Sequence, residues 1–268
     1  NDRDRFLTAL FAKPTLREHL YSLYAFNIEV SKTREVVSEA MLGAIRLQWW
    51  REAIEAIYDR KPARQHAVVQ ALAGTINACS LDRAFFERLI NGRMLDLETS
   101  PPSDLAALLD YADATSGCLI ILALQALGEK VDEASKQIAL EVGRAWSIVG
   151  MIRAMPYQLQ RGWIVLPDEL VERYGVDLRE MLDLKPSPEL AAATKALSEE
   201  ATKHLMNARS DSRGIARSSV PALLPAILAD TYLKRLQRAQ NNVFDLRLAE
   251  PPGIATIRLA VAAISARY

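Results

Sequence analysis

Three groups of side chains in this sequence could meet an anion or a metal ion. One is the polar run Glu29-Val30-Ser31-Lys32-Thr33-Arg34-Glu35. Another is the pair Arg153 and Arg161 within the largely apolar stretch Val142 to Pro167. The third comprises carboxylates spaced closely enough to cooperate, Asp96 with Glu98 and Asp110 with Asp113. An arginine inside an apolar run needs a partner, because a buried unpaired charge costs several kcal/mol. Arg153 therefore has two readings: a core-helix residue that reaches solvent or a carboxylate, or one wall of an anion pocket. Gly143, Ala145 and Gly150 are small enough to admit a neighbouring helix or a ligand close to the backbone. Taken alone, the Glu29–Glu35 run is an ordinary helix end. Asp110 and Asp113 fall early in a helix, where they complement its dipole in solvent. Asp96 and Glu98 read as a solvated helix terminus. His19, His66 and His204 are isolated in sequence and read as surface or packing residues, and Trp49-Trp50 reads as core and rim.

Nucleotide-binding glycine loops, the G-x-S-x-G nucleophile turn and the H-E-x-x-H zinc motif are absent. Thirty-three basic residues balance thirty-three acidic ones over 268 residues, so no global field favours nucleic acid as a partner. Cys79 and Cys118 lack metal-ligand spacing and suggest a reducing compartment. The longest apolar run, Cys118 to Leu127, is interrupted by Gln125 and is too short for a transmembrane segment, which leaves peripheral contact as the expected form of membrane association.

The elements that must carry these residues are helical. Ala, Leu, Glu and Arg dominate, only 11 Gly and 12 Pro punctuate the chain, and no stretch alternates with a two-residue period. The reading is all-α, one domain over residues 1–268 with roughly nine helices. A short helix covers Arg3 to Phe11. Thr15 and Glu18 form a capping box for a helix to about Thr33. Ser38 caps a helix to Tyr58 that buries Ile45, Trp49, Ile54 and Ile57. Further helices end near Ala78 and, starting from Ser80, near Asp96. Ser103 caps a buried helix that ends at Gly128. The Val142–Pro167 stretch starts as a helix and breaks at Pro156. Ser187-Pro188-Glu189 opens a helix to Arg209, a basic loop spans Arg209 to Arg217, and helices cover Ser219–Arg238 and Ile254–Arg267.

Several segments, in order along nearly the whole chain, resemble the squalene/phytoene synthase family. Leu23-Tyr24-Ala25-Phe26 resembles the entry into the family's first aspartate motif, and Leu47-Gln48-Trp49-Trp50-Arg51-Glu52 its tryptophan helix. Leu89-Ile90-Asn91-Gly92 with Asp96-Leu97, and Tyr111 through Ser116-Gly117, match two further anchors. Gly143, Ala145, Ile152-Arg153, Arg161-Gly162 and Leu166-Pro167 match the segment around the second aspartate motif. The resemblance implies an isoprenoid-synthase-type helical bundle around a central cavity, with prenyl diphosphates held through Mg²⁺.

At both motifs the residues depart from that pattern. The first, D-D-x-x-D in active members, stands as Ser31-Lys32-Thr33-Arg34-Glu35, and the second, D-x-x-x-D, as Ala154-Met155-Pro156-Tyr157-Gln158. Mg²⁺ requires carboxylate oxygens in near-octahedral geometry, and only Glu35 remains. The closer resemblance is to a divergent branch of respiratory complex I assembly factors, carried by Ala25-Phe26-Asn27-Ile28-Glu29, Val37-Ser38-Glu39, Arg46-Leu47-Gln48-Trp49-Trp50 and Arg153-Ala154-Met155-Pro156-Tyr157. It implies no catalytic residues and no metal. Lys32, Arg34, Arg153 and Arg161 are then candidate anion ligands, and Glu29, Glu35 and Asp96 residual carboxylates. The implied partners are a prenyl lipid or prenyl diphosphate and complex I subunits or assembly proteins. The alternative is an active Mg²⁺-dependent prenyltransferase with Glu35, Asp96 or Glu29 as makeshift metal ligands.

Overall fold

In a computed structural model, residues 2–210, 215–248, 253 and 255–268 are described, and all their regular structure is helical. The centre is α9 (Glu133–Leu159). Asp132 caps it, accepting hydrogen bonds from the Ser135 backbone N and Oγ, both at 2.8 Å. α9 packs along α12 (Pro188–Ser210), α13 (Pro225–Arg238) and α8 (Cys118–Ala126). α8 is apolar on nearly every face and correspondingly buried. It continues α7 (Leu105–Ala112) through a π-helical turn, Asp113–Gly117, that lies against α9.

A second group of helices closes the other side. α2 (Pro14–Ser31) packs against α5 (Ala67–Cys79), and α4 (Ala40–Tyr58) against α6 (Arg83–Met94). Phe26, Trp50 and Phe86 interlock there edge-to-face, with centroids 5.4 to 5.5 Å apart. The remaining helices are α1 (Arg3–Ala9), α3 (Thr33–Val36), α10 (Asp168–Tyr174), α11 (Leu178–Leu182) and α14 (Ala255–Ser265).

The all-α reading holds, but its boundaries shift, and the described residues contain fourteen α-helices where about nine were expected. Aspartates take two caps assigned to serines. Asp82 caps α6 while Ser80, with φ 49°, ends α5, and Asp104 in place of Ser103 caps α7 through the Ala107 N–H. Neither Thr15 nor Ser38 caps: α2 begins directly at Pro14, and Glu39 precedes α4 without a side-chain cap. Ile45 faces solvent at 61% exposure, and Trp49 is half-buried above the fully buried Trp50. Pro156 does not break α9, which runs three residues further. The expected Ser219–Arg238 helix is a 3-10 stretch, Arg217–Ala222, followed by α13. Part of the 209–217 loop (211–214) and the expected helix start at Ile254 lie outside the described residues.

The apolar-run reading also needs correction. Leu105–Ala126 together is long and apolar enough to cross a membrane by length and composition, but 67% of its apolar window is buried within the fold. Burial among neighbouring helices gives it the role of a core helix here.

Candidate functional site

A cavity of about 600 Å³ opens between the C-terminal end of α2, α3, the 3-10 turn Leu95–Leu97, α7 and α9. The α9 wall is a helical face: Trp146, Gly150, Ala154 and Gln158 follow at four-residue steps, with Ser147 and Met151 beside them. Ser31, Arg34 and Glu35 line the opposite side, so the two segments matched to the aspartate motifs do face one space. Asp96 and Glu98 complete the charged end, and the loop residues Trp163, Ile164 and Val165 close it.

The innermost polar feature is a closed network. The Tyr111 hydroxyl donates to Asp96 Oδ1 at 2.7 Å, while Arg93 Nη1 donates to Asp96 Oδ2 at 3.2 Å and to the Tyr111 oxygen at 2.6 Å. Arg93 also reaches Asn27 Oδ1 at 3.4 Å. Burial works against the Arg93 charge, but Tyr111 and Asp96 outweigh it and hold its pKa above the ordinary arginine value. Burial likewise pushes the Tyr111 phenol above its usual range. Arg5 joins the wall from α1, paired with Asp2. Arg34 lies 4.2 Å over the Trp163 ring.

Not every expected residue arrives here. Arg153 is not in the cavity wall. It leaves the outer side of α9, donates to Asp4 Oδ2 at 2.9 Å and stacks 3.6 Å over Tyr232. The expected partner of this arginine exists, therefore, but it is not one of the cleft carboxylates. Arg161 covers Tyr157 at 4.0 Å, outside the wall. Glu29 is bound to Arg46 at 2.6 Å, and neither it nor Lys32 lines the space. Arg5, Arg93 and Trp146 are wall residues absent from the sequence-based set. The i, i+3 spacing of Arg93 and Asp96 and the i, i+4 spacing of Trp146 and Gly150 could have marked two of them, and no sequence signal marks Arg5.

These side chains do not suit Mg²⁺. Both Asp96 oxygens are engaged by Tyr111 and Arg93, Glu35 and Glu98 sit on the exposed rim, and Ala154 and Gln158 offer no carboxylate. Among the described residues no three His, Cys, Asp or Glu side chains converge to hold a metal. A cation held by Asp96 would have to dismantle the Arg93–Asp96–Tyr111 network, which leaves the rim carboxylates Glu35 and Glu98 as its remaining acidic ligands in this wall.

Gly150 offers a direct check on the cavity's shape. A Cβ there meets nothing within 4 Å, so Gly150→Ala should leave the fold intact and raise stability by about 0.5–1 kcal/mol through helix propensity. A thermal melt measures it, and a loss of stability would mean the α9 face is packed and the cavity closed.

Other singled-out residues lie elsewhere. Asp110 is solvated and 3.5 Å from Arg88, as a helix-surface carboxylate should be. Asp113 is buried, contrary to the expectation, and held by Arg144. His204 is not an isolated side chain: it is buried with Nδ1 2.7 Å from Glu141 Oε2. His19 contacts Thr75 Oγ1 at 3.1 Å, and His66 packs between Trp49 and Trp50.

A family model described as squalene/phytoene synthase matches residues 1–253. A curated relative from Mus musculus, NADH dehydrogenase (ubiquinone) complex I, assembly factor 6, is 27% identical over 267 residues, covering 100% of this chain and 80% of that protein. The presqualene diphosphate synthase of Rhodopseudomonas palustris is 25% identical over 223 residues, 82% of this chain and 77% of that one. A crystal structure of a dehydrosqualene synthase in complex with ligand superposes with a TM-score of 0.86 at 18% identity, over 99% of this chain and 92% of that chain. At that identity the likeness establishes the isoprenoid-synthase-type helical fold.

Proposed function

The chain belongs to the squalene/phytoene synthase family, and from that premise we propose that it serves respiratory complex I assembly, binding a prenyl lipid in its cavity without prenyl-transfer chemistry. One observation carries the reading. The cavity remains, but the two segments that should supply metal-binding carboxylates present Ser31, Arg34, Glu35, Ala154 and Gln158 to it. Ionisation of an allylic diphosphate needs concentrated positive charge on the leaving group, which Mg²⁺ provides in such reactions. Here the second segment offers no carboxylate, Asp96 is engaged by Arg93 and Tyr111, and Glu35 and Glu98 stand on the exposed rim. Similarity to complex I assembly factors, over 91% to 100% of this chain and 72% to 80% of those proteins, supplies the biological side of the proposal. The proposed location is accordingly the cytoplasm or the mitochondrial matrix, peripheral to the inner membrane, with complex I subunits or assembly proteins as proposed partners.

Two measurements test this. Expression in mouse cells lacking their assembly factor 6 should restore assembled complex I on native gels, and Gly150→Leu, which fills the cavity, should abolish that rescue while the protein stays folded. Rescue undiminished by Gly150→Leu would remove the cavity from the function. Purified protein with Mg²⁺ and geranylgeranyl diphosphate should release no pyrophosphate. Release that disappears in Glu35→Gln would instead establish an active prenyltransferase.

A further inference from the structure

The charges in the cavity wall do not balance one another evenly. Arg93 is neutralised by Asp96 and Arg5 by Asp2. Arg34 is different: half-buried, it stacks on Trp163 and has no ion pair or hydrogen bond with any described residue. Burial is the largest influence on it and lowers its pKa, with Asp96 and Tyr111 opposing. Both of the Asp96 oxygens already accept from Tyr111 and Arg93, so this carboxylate supports Arg34 only at a distance. Two polar atoms of neighbouring wall residues, Arg93 Nε and Gln158 Oε1, also lack partners, but both lie beneath the surface and do not face the open space. The Arg34 fork is therefore the unpaired donor that the wall offers to a ligand. Beyond this polar end the wall turns apolar at Leu108, Met151, Ile164 and Val165.

Resting on the reading of the cavity as a lipid site, we infer that its ligand ends in a single oxyanion, a carboxylate or one phosphate, held by Arg34 without a metal ion. One uncompensated guanidinium matches one negative charge. Arginine suits such a group because its planar fork donates two parallel hydrogen bonds to paired oxygens. Glu35 and Glu98 on the exposed rim repel any additional negative charge. A diphosphate, with its higher charge and no cation to bridge it, is therefore selected against. The Trp163 ring holds the guanidinium in place before the ligand arrives, which limits the ordering cost of binding.

The test is calorimetric binding to the full chain in the presence of a chelator. The probes are geranylgeranoic acid, geranylgeranyl monophosphate, geranylgeranyl diphosphate, geranylgeraniol and inorganic phosphate. The acid or the monophosphate should bind at least about tenfold more tightly than the alcohol and the diphosphate, and which of the two wins identifies the oxyanion. Arg34→Ala should remove that advantage and Arg34→Lys should recover part of it. Both variants should melt like the parent without ligand, because Arg34 makes no ion pair with the described residues. Equal binding of alcohol and oxyanions, or an unchanged preference in Arg34→Ala, would overturn the oxyanion assignment and leave the lipid cavity standing. Inorganic phosphate binding as tightly as the monophosphate would overturn the lipid tail instead. Failure of every prenyl probe would sink both this inference and the lipid-binding part of the proposed function, whereas the complex I rescue is scored independently.

Discussion

Gly143→Ala is expected to destabilise the protein by about 3 kcal/mol, the upper end for overpacking a tight interface. Its Cβ would lie 2.6 Å from both the N and Cα of Gly117, and 3.1 Å from the carbonyl carbon of Ser116. Those are backbone atoms of the π-helical turn and cannot rotate aside. α9 and the α7–α8 segment would have to separate, and the wall that α9 gives the cavity through Ser147, Gly150 and Ala154 would move with it. Helix propensity works in the opposite direction, favouring alanine by about 1 kcal/mol, so a net loss isolates the steric effect. Gly117→Ala is the internal comparison. There the nearest contact, 2.8 Å, is Leu140 Cδ2, the end of a side chain that can turn away, and the cost should be smaller. Urea unfolding of the two variants decides the matter. Equal stability of Gly143→Ala and the parent would show that the two helices are not locked at this point.

Why some of the site was legible and some was not follows from what carries each feature. Part of the α9 face was legible because it depends on local periodicity: Gly150 and Ala154 share a side by helix geometry alone, whereas the break expected at Pro156 kept Gln158 off it. The partner of Arg153 was not, because Asp4 is 149 residues away and only the packing of α1 against α13 brings it near. The need for a partner could be inferred from the apolar surroundings; its identity could not. Cap positions failed for a local reason. Ser80 and Ser103 stand one or two residues before aspartates with equal capping ability, and the turn geometry, including the left-handed Ser80, selects Asp82 and Asp104. Pro156 misled because the proline rule counts a lost hydrogen bond and a clash but not what lies beyond. Met155 and Leu159 flank it and are fully or almost fully buried. The packing of those two side chains offsets the loss and keeps the last turn helical.

The same limit hid the strongest buried charge cluster, which yields the second large effect. Arg144 on α9 donates to Asp113 through Nε at 2.7 Å and Nη2 at 2.8 Å, and to Glu141 Oε1 at 3.1 Å. Glu141 in turn accepts from Gln137 at 2.8 Å and Asn207 at 3.3 Å and contacts His204. The cluster thus joins the π-helical turn, α9 and α12. The hydrogen bonds that Arg144 donates to Asp113, opposed by burial and helped by Glu141, hold the Arg144 pKa above its ordinary value. Arg144→Met should cost about 3–5 kcal/mol, because it leaves the Asp113 and Glu141 carboxylates buried without their counter-charge. The attraction is not itself the main source of that cost. Desolvation of both partners consumes much of the Coulombic gain, so Asp113→Leu combined with Arg144→Met should be more stable than Arg144→Met alone. A double-mutant cycle on urea unfolding free energies measures the coupling. If Arg144→Met alone is nearly neutral, or the double variant loses the sum of both single losses, the cluster is solvated and independent. If the coupling is large, the charge cluster and the Gly143–Gly117 contact fix the same crossing from two directions. That crossing sets the position of the cavity wall, which would make its shape a property of the core.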